Sequence, residues 1–165
     1  MGRMHLDVLT LGSPALERRA QEVSNVDGRY QELVYSMFEV LYRSGGLGLA
    51  ATQVGVMERV FVYDLGGAPR VLFNPVIVET SGEWSFVEGC LSMPGLFVDL
   101  VRPRSVLLSA VSANGENVTV EATDLLARLY QHEVDHLDGV LLIDRLSSSE
   151  KSRVLDEYAR TPHWV

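Results

Sequence analysis

The segment Gln131-His132-Glu133-Val134-Asp135-His136-Leu137-Asp138-Gly139 governs the reading of this chain, because on a helix it gathers two imidazoles and a carboxylate into one small volume. His132 and His136 are four positions apart. On a helix they stack on one face and can share a metal ion. Glu133 lies about 100° around the axis from His132, within reach of a water beside that metal without being a ligand. The bare H-E-x-x-H pattern also occurs on charged surface helices. Here the flanks argue otherwise. Leu125, Leu126, Leu129, Tyr130 and Leu137 form an apolar stripe, and Leu125, Leu129, His132 and His136 fall nearly on one line. The spacing predicts a buried helix face, and buried imidazoles need partners.

A catalytic metal site takes three protein ligands and leaves a position open. Downstream of Gly139 the chain offers Asp144, Glu150, Asp156, Glu157 and His163, most of them on a short terminal helix that follows Leu146-Ser147-Ser148-Ser149. Upstream stands Cys90, the single cysteine, in Glu88-Gly89-Cys90-Leu91-Ser92-Met93-Pro94-Gly95. A lone cysteine is most often a small buried hydrophobe, and with histidines elsewhere it also fits a cysteine nucleophile. The two-histidine helix favours a third reading. Cys90, His132 and His136 supply one thiolate and two imidazoles, a donor set suited to zinc or ferrous iron.

Gly45-Gly46-Leu47-Gly48-Leu49-Ala50-Ala51-Thr52-Gln53-Val54-Gly55 is rich in small residues and carries one amide side chain. It lacks the Gly-Lys-Ser/Thr ending of a phosphate loop. Leu47, Leu49 and Val54 argue for a packed segment rather than a linker. Small side chains let backbone amides and the Gln53 amide approach a substrate carbonyl.

Taken together and in order, Gly46-Leu47-Gly48-Leu49-Ala50-Ala51-Thr52-Gln53, Glu88-Gly89-Cys90-Leu91-Ser92 and Gln131-His132-Glu133-Val134-Asp135-His136-Leu137 resemble the three signature motifs of the peptide deformylases. The resemblance runs from Gly12-Ser13-Pro14 to Asp144-Arg145-Leu146. It implies removal of the formyl group from N-formylmethionyl peptides, with release of formate. It implies that Cys90, His132 and His136 hold one divalent ion, ferrous iron first, with zinc, nickel or cobalt as substitutes. Glu133 then matches the general acid/base, and Gln53 with the Leu91 N–H matches the oxyanion donors. Gly46, Leu47 and Gly48, with Phe86, Glu88 and Gly89, match the segments that pair with the peptide backbone. Some members carry an arginine where this chain has Phe97, and a second family arginine is expected at Arg102. Other readings are an H-E-x-x-H peptidase or amidase of broader specificity, or a metal-binding protein of this fold without turnover.

The 165 residues, 47% hydrophobic, suffice for one domain with a real core, and no linker divides residues 1–165. A net charge of −8 argues against a nucleic-acid surface, though not against a local patch near a ribosome. Neither an N-terminal apolar signal segment nor a membrane-length apolar run is present, and one free cysteine suits a reducing cytoplasm. The expected partner is the formylated peptide, and the expected state a monomer. Asp135 and Asp138 flank the histidines as either solvated residues or partners of an imidazole. His5 and His163 lie at the ends, where chains are commonly poorly ordered, and neither is expected to bind the metal.

Proline after Ser13 predicts a short helix over 13–19, and apolar spacing a second over 30–43. Runs at 59–64, 70–79, 83–87, 105–111 and 117–121 read as strands, with a hairpin turn over 113–116. Trp84 and Phe86 share one strand face, with core the default place for both and the lining of a methionine pocket the alternative for Phe86. The expected fold is α+β, with antiparallel or mixed sheets around a central metal-bearing helix, helices at the N-terminal end and a short C-terminal helix.

Overall fold

The run Val60-Phe61-Val62-Tyr63 is apolar at every position, the pattern of a strand covered on both faces. In the computed structural model, which describes residues 4–162, it forms strand β2 (Val60–Asp64) in a five-stranded sheet. The other strands are β1 (Gly48–Ala50), β3 (Pro69–Ser81), β6 (Ser105–Val111) and β7 (Asn117–Thr123), in the order β1-β2-β3-β6-β7, every pair antiparallel. Helix α1 (Gln31–Ser44) covers one face and helix α2 (Asp124–Leu137) the other. Val60 and Val62 pack with Met37 and Leu41, whereas Phe61 and Tyr63 pack with Tyr130 and Leu137. Strands β4 (Trp84–Cys90) and β5 (Met93–Arg102) form a separate antiparallel hairpin. It shares a third core, including Met93, Val98 and Leu100, with Leu141–Ile143 and with Val154 of helix α3 (Ser148–Arg160). The expected α+β fold around a central helix is the one observed.

Several local expectations change. Strand β5 was absent from the sequence reading because Pro94-Gly95 signals a turn. The hairpin absorbs both residues in an irregularity between Gly89 and Cys90, where Cys90 faces Met93 and Gly89 faces Phe97. Proline donates no ladder bond and is tolerated at such a place. The expected helix over 13–19 is a 3-10 turn, Pro14–Glu17, that buries only Leu16 and gives way to extended backbone at Arg18. The turn over 113–116 forms as expected, with Ser112 N–H donating to Glu116 O at 2.8 Å. Ser147 caps α3 reciprocally with Glu150. His163 lies outside the described residues.

The buried face of α2 is also not quite the one expected. Ala127, Tyr130, Val134 and Leu137 meet the sheet, while Leu125 is 39% exposed in the first turn. Arg128, His132 and Asp135 recur at spacings of four and three and face the β4–β5 hairpin, as their bonds to Glu88 and Arg102 show. The helix is thus wedged between an apolar sheet and a polar hairpin. Tyr63 and Tyr130 place their hydroxyls 2.7 Å apart within the apolar side.

Candidate metal centre and its cleft

His132 and His136 are brought together by helical spacing alone, whereas Cys90 reaches them from the end of β4. Cys90 Sγ lies 3.2 Å from His136 Nε2, which lies 3.2 Å from His132 Nε2. The three ligand atoms all fall within 4.8 Å of one another. Donors at metal distances of ~2.1 Å for nitrogen and ~2.3 Å for sulfur, in a tetrahedral arrangement, stand about 3.3–3.6 Å apart. The two spacings of 3.2 Å fall just short of that range, and three lone-pair donors so close repel unless a cation or protons lie between them.

The electrostatics point the same way. Burial pushes the Cys90 thiol up, but the facing imidazoles of His136 and His132 outweigh it and hold the thiol well below its usual range. Burial pulls His132 down, but hydrogen bonds to the Cys90 sulfur and the Glu88 carboxylate raise it well above an ordinary histidine. The cluster therefore favours a thiolate, and a divalent cation would displace the proton it holds.

Glu88 orients His132. Its Oε1 accepts from His132 Nδ1 at 2.9 Å, so that once the ring is neutral its Nε2 carries the lone pair facing Cys90 and His136. Glu88 in turn accepts two bonds from Arg102, at 2.7 and 3.1 Å, and one from Arg128. Burial pushes the Glu88 carboxyl up, yet the bonds from His132 and Arg102 bring it to about 2. Arg102 also binds Asp135 at 2.9 Å, and Arg145 closes the chain on that carboxylate. Asp135 is 6% exposed, so the partner reading is the better one for it, through Arg102 and Glu88 rather than directly. Asp138 instead binds Arg59 and Arg19. His5 sits exposed beside Asp7, outside the cluster.

Glu133 is 3% exposed, and its Oε2 has no hydrogen-bond partner among the described residues. Burial raises its carboxyl above the usual range. Gly48 makes room for it, since a Cβ there would stand 2.6 Å from Glu133 Oε1. Gln53, on the 3-10 turn Ala51–Val54, is aimed by its own bonds. Its Oε1 accepts from Ala50 N–H at 2.9 Å, and its Nε2 donates to Ser92 Oγ at 3.1 Å and faces Cys90 Sγ at 3.7 Å.

These groups form the floor of a cleft of about 470 Å³ whose walls are Gly45–Gly48 on one side and Phe86–Leu91 on the other. Leu125, Leu129 and Phe97 also line it. Each sequence-predicted site residue lines this cleft: Gly46, Leu47, Gly48, Gln53, Phe86, Glu88, Gly89, Cys90, Leu91, His132 and Glu133, with His136 buried behind. Phe86 is 40% exposed rather than core, its ring tilted against Trp84 at a centroid distance of 4.6 Å. The Glu88 side chain is committed to His132 and the arginines, so only its backbone is available to a peptide. Sequence reasoning missed Arg128 and Ser92. Arg128 bonds Glu88 and lies 5.2 and 5.7 Å from the ring centroids of Trp84 and Phe86. Its position four residues before His132 was the available signal.

The polypeptide deformylase family model matches residues 5–152. The chain belongs to the peptide deformylase family. The peptide deformylase of Neisseria gonorrhoeae is 46% identical over 152 residues, which cover 90% of this chain and 91% of that protein. Peptide deformylase 1 of Clostridium acetobutylicum is 45% identical, covering 84% of this chain and 93% of its own length. Among solved structures, the peptide deformylase of Synechococcus elongatus in complex with actinonin superimposes with a TM-score of 0.88 at 39% identity, over 93% of this chain and 88% of that one. The Thermotoga maritima peptide deformylase gives 0.84, also at 39% identity, over 87% and 99%. Membership extends to enzyme class and fold, both of which hold for this chain as for the family. No helix among the described residues is long and apolar enough to cross a membrane.

Proposed function

We propose that this chain removes the formyl group from N-formylmethionyl peptides, using one divalent ion held by Cys90, His132 and His136. The observation that carries the reading is the buried, unpartnered Glu133 carboxyl oxygen beside a Cys-His-His cluster, on the floor of a cleft walled by two backbone segments. Ferrous iron is the first expectation, with zinc, nickel or cobalt as substitutes. A divalent ion there supplies a Lewis acid that polarises the formyl carbonyl and lowers the pKa of water toward neutrality.

The chain's own residues do the rest. Backbone groups of 46–48 and 86–89 hold the extended peptide, and Phe86, Leu125 and Leu129 receive the methionine side chain. Glu133 takes a proton from the attacking water and returns it to the leaving amine, a shuttle worth typically ~10²–10⁴-fold. Gln53 Nε2 and the Leu91 N–H donate to the developing oxyanion, where losing one donor costs ~10²–10³-fold. Glu88 fixes the tautomer of His132. Water and the amide are consumed, and formate and a free N-terminal amine are released. The substrates are nascent chains, which places the enzyme near ribosomes in the cytoplasm, acting as a monomer.

The test is formate release from formyl-Met-Ala-Ser by anaerobically iron-loaded protein, with elemental analysis on the same sample. About one ion per chain and turnover are expected, and Cys90→Ala should lose the ion. Full metal content in Cys90→Ala refutes the ligand set. Peptide-bond cleavage without formate refutes the reaction. The iron form should lose activity in air while a zinc-loaded sample keeps its rate.

A further inference from the structure

A second cleft, of about 620 Å³, shares no lining residue with the first. It lies between β3 at 75–77, the end of β5 at 100–103 and the C-terminal half of α2, with Arg19 and Arg145 beside them. The β3 wall exists because the strand is irregular there. Asn74 adopts a left-handed φ of 48°, and the register to β6 shifts between Phe73 and Val76. Val23 holds Asn74 in that conformation, its N–H donating to Asn74 Oδ1 at 2.7 Å and its carbonyl accepting from Asn74 Nδ2 at 2.8 Å. Val76 is left 53% exposed, and such irregularities recur beside binding sites because they re-aim side chains. The charges of the cleft do not balance. Asp138 already has the buried Arg59 at 2.8 Å, and Asp135 has the buried Arg102 at 2.9 Å. Arg19 and Arg145, 68% and 49% exposed, add a second guanidinium to each carboxylate. Counting Glu88 with its Arg128, five guanidiniums face three carboxylates, an excess of two positive charges in a chain of net charge −8.

We propose that this second cleft binds a small phosphate monoester with an apolar or aromatic body, the chemistry of a nucleoside monophosphate. The proposal stands whether or not the deformylase reading does. A phosphate monoester carries a charge close to −2 at neutral pH, which the surplus of two matches. Asp135 and Asp138 stand one helical turn apart, so the surplus guanidiniums of Arg19 and Arg145 are held by neighbouring side chains. Each presents a fork of N–H groups suited to phosphate oxygens, and together they grip one phosphate from two sides. Turning toward a ligand leaves neither aspartate alone, because Arg59 and Arg102 stay bound to them. The volume is that of a site for a small organic molecule and exceeds what a bare phosphate fills. Val76, Ile77 and Leu100 give the remainder of the ligand an apolar wall. A long polyanion is disfavoured, since beyond the cleft it meets the negative charge of the rest of the chain.

The experiment measures dissociation constants by calorimetry on zinc-loaded protein for inorganic phosphate, phenyl phosphate, 5′-AMP and a 5′-phosphorylated oligoribonucleotide. Phenyl phosphate and 5′-AMP should bind with Kd below ~1 mM and about threefold or more tighter than inorganic phosphate. Arg19→Ala and Arg145→Ala should each weaken both esters and inorganic phosphate about tenfold. Val76→Thr should weaken only the esters, by about threefold. Arg153→Ala, which removes an equally exposed arginine of α3, should match the parent. Cys90→Ala should bind phosphate as the parent does. Binding lost in Cys90→Ala but kept in Arg19→Ala and Arg145→Ala would put phosphate on the metal and overturn the proposal. No binding in the parent, equal affinity for inorganic phosphate and both esters, or indifference to both arginines overturns it as well. So does an oligoribonucleotide that binds more tightly than 5′-AMP, which would make the face a polyanion surface.

Discussion

Replacing Gly48 with alanine should disable the enzyme without touching any residue that does chemistry. The new methyl carbon would stand 2.6 Å from Glu133 Oε1 and 3.1 Å from its Cδ, whereas ordinary contact begins at 3.4 Å. The carboxylate must therefore retreat by roughly 0.8 Å in an interior packed too tightly to give way at no cost. Gly48 does not have a positive φ, so alanine suits the backbone and the clash is the whole perturbation. Displacing a proton-transferring group by about 1 Å costs on the order of 10²-fold in rate. Overpacking by one methyl costs about 1–3 kcal/mol, below the ~5–15 kcal/mol that typical domains have. Gly48→Ala should therefore remain folded by circular dichroism, keep its metal by elemental analysis, and release formate about a hundredfold more slowly. Glu133→Asp withdraws the carboxylate by one methylene, so adding Gly48→Ala to it should do little further harm. Turnover of Gly48→Ala within threefold of the parent at equal metal content would refute the argument.

Glu133→Gln keeps the shape and removes the proton acceptor, so formate release should fall by at least ~10²-fold with metal retained; near-normal turnover would move the acid/base role elsewhere. Glu88→Gln replaces the carboxylate on His132 Nδ1 by a neutral amide and should weaken metal affinity by about 10–100-fold in a chelator competition. Asp144 accepts from Lys151 and from Leu141 N–H at 2.8 Å. Burial raises its carboxyl, but these bonds win and lower it below the usual range. Because the folded value is depressed, the stabilisation is full above the unfolded pKa near ~3.9 and is lost as pH falls through the folded value. Thermal melts should show Asp144→Asn with a lower Tm at neutral pH and a difference from the parent that shrinks toward pH ~2.

What the sequence discloses about this fold depends on how local the cause is. Helical spacing by itself stacks His132 on His136, and the β-branched run at 59–64 marks a strand. Both readings needed nothing from elsewhere in the chain. Strand β5 was hidden because Pro94 and Gly95 look like a stop and become a hairpin irregularity only through pairing with Gly89 and Cys90. β1 was missed because its three residues are too short to show a period. The roles of Glu88 and Arg128 were hidden for a different reason. Their residue types are plain in the sequence, but the bonds that join Glu88 to Arg128 and to His132 span 40 and 44 positions. A charged residue in a strand and another in a helix read as solvated faces until the fold closes them on each other. The partition of α2 into a sheet face and a hairpin face likewise follows from what packs on each side, which periodicity alone does not state.

Glu88, Arg102, Arg128 and Asp135 are each between 3% and 6% exposed, and each answers the charge of another. Losing one member strands a buried charge, at about 3–5 kcal/mol. Exchanging a whole buried set for apolar residues of similar volume can be neutral. Two viable solutions are thus separated by intermediates that forfeit a large share of typical domain stability. Single substitutions at these positions face a fitness valley, and any drift there must be concerted. Among descendants of this chain, the four residues should change together or remain fixed, and a double-mutant cycle between Arg128 and Glu88 should show a large non-additive coupling.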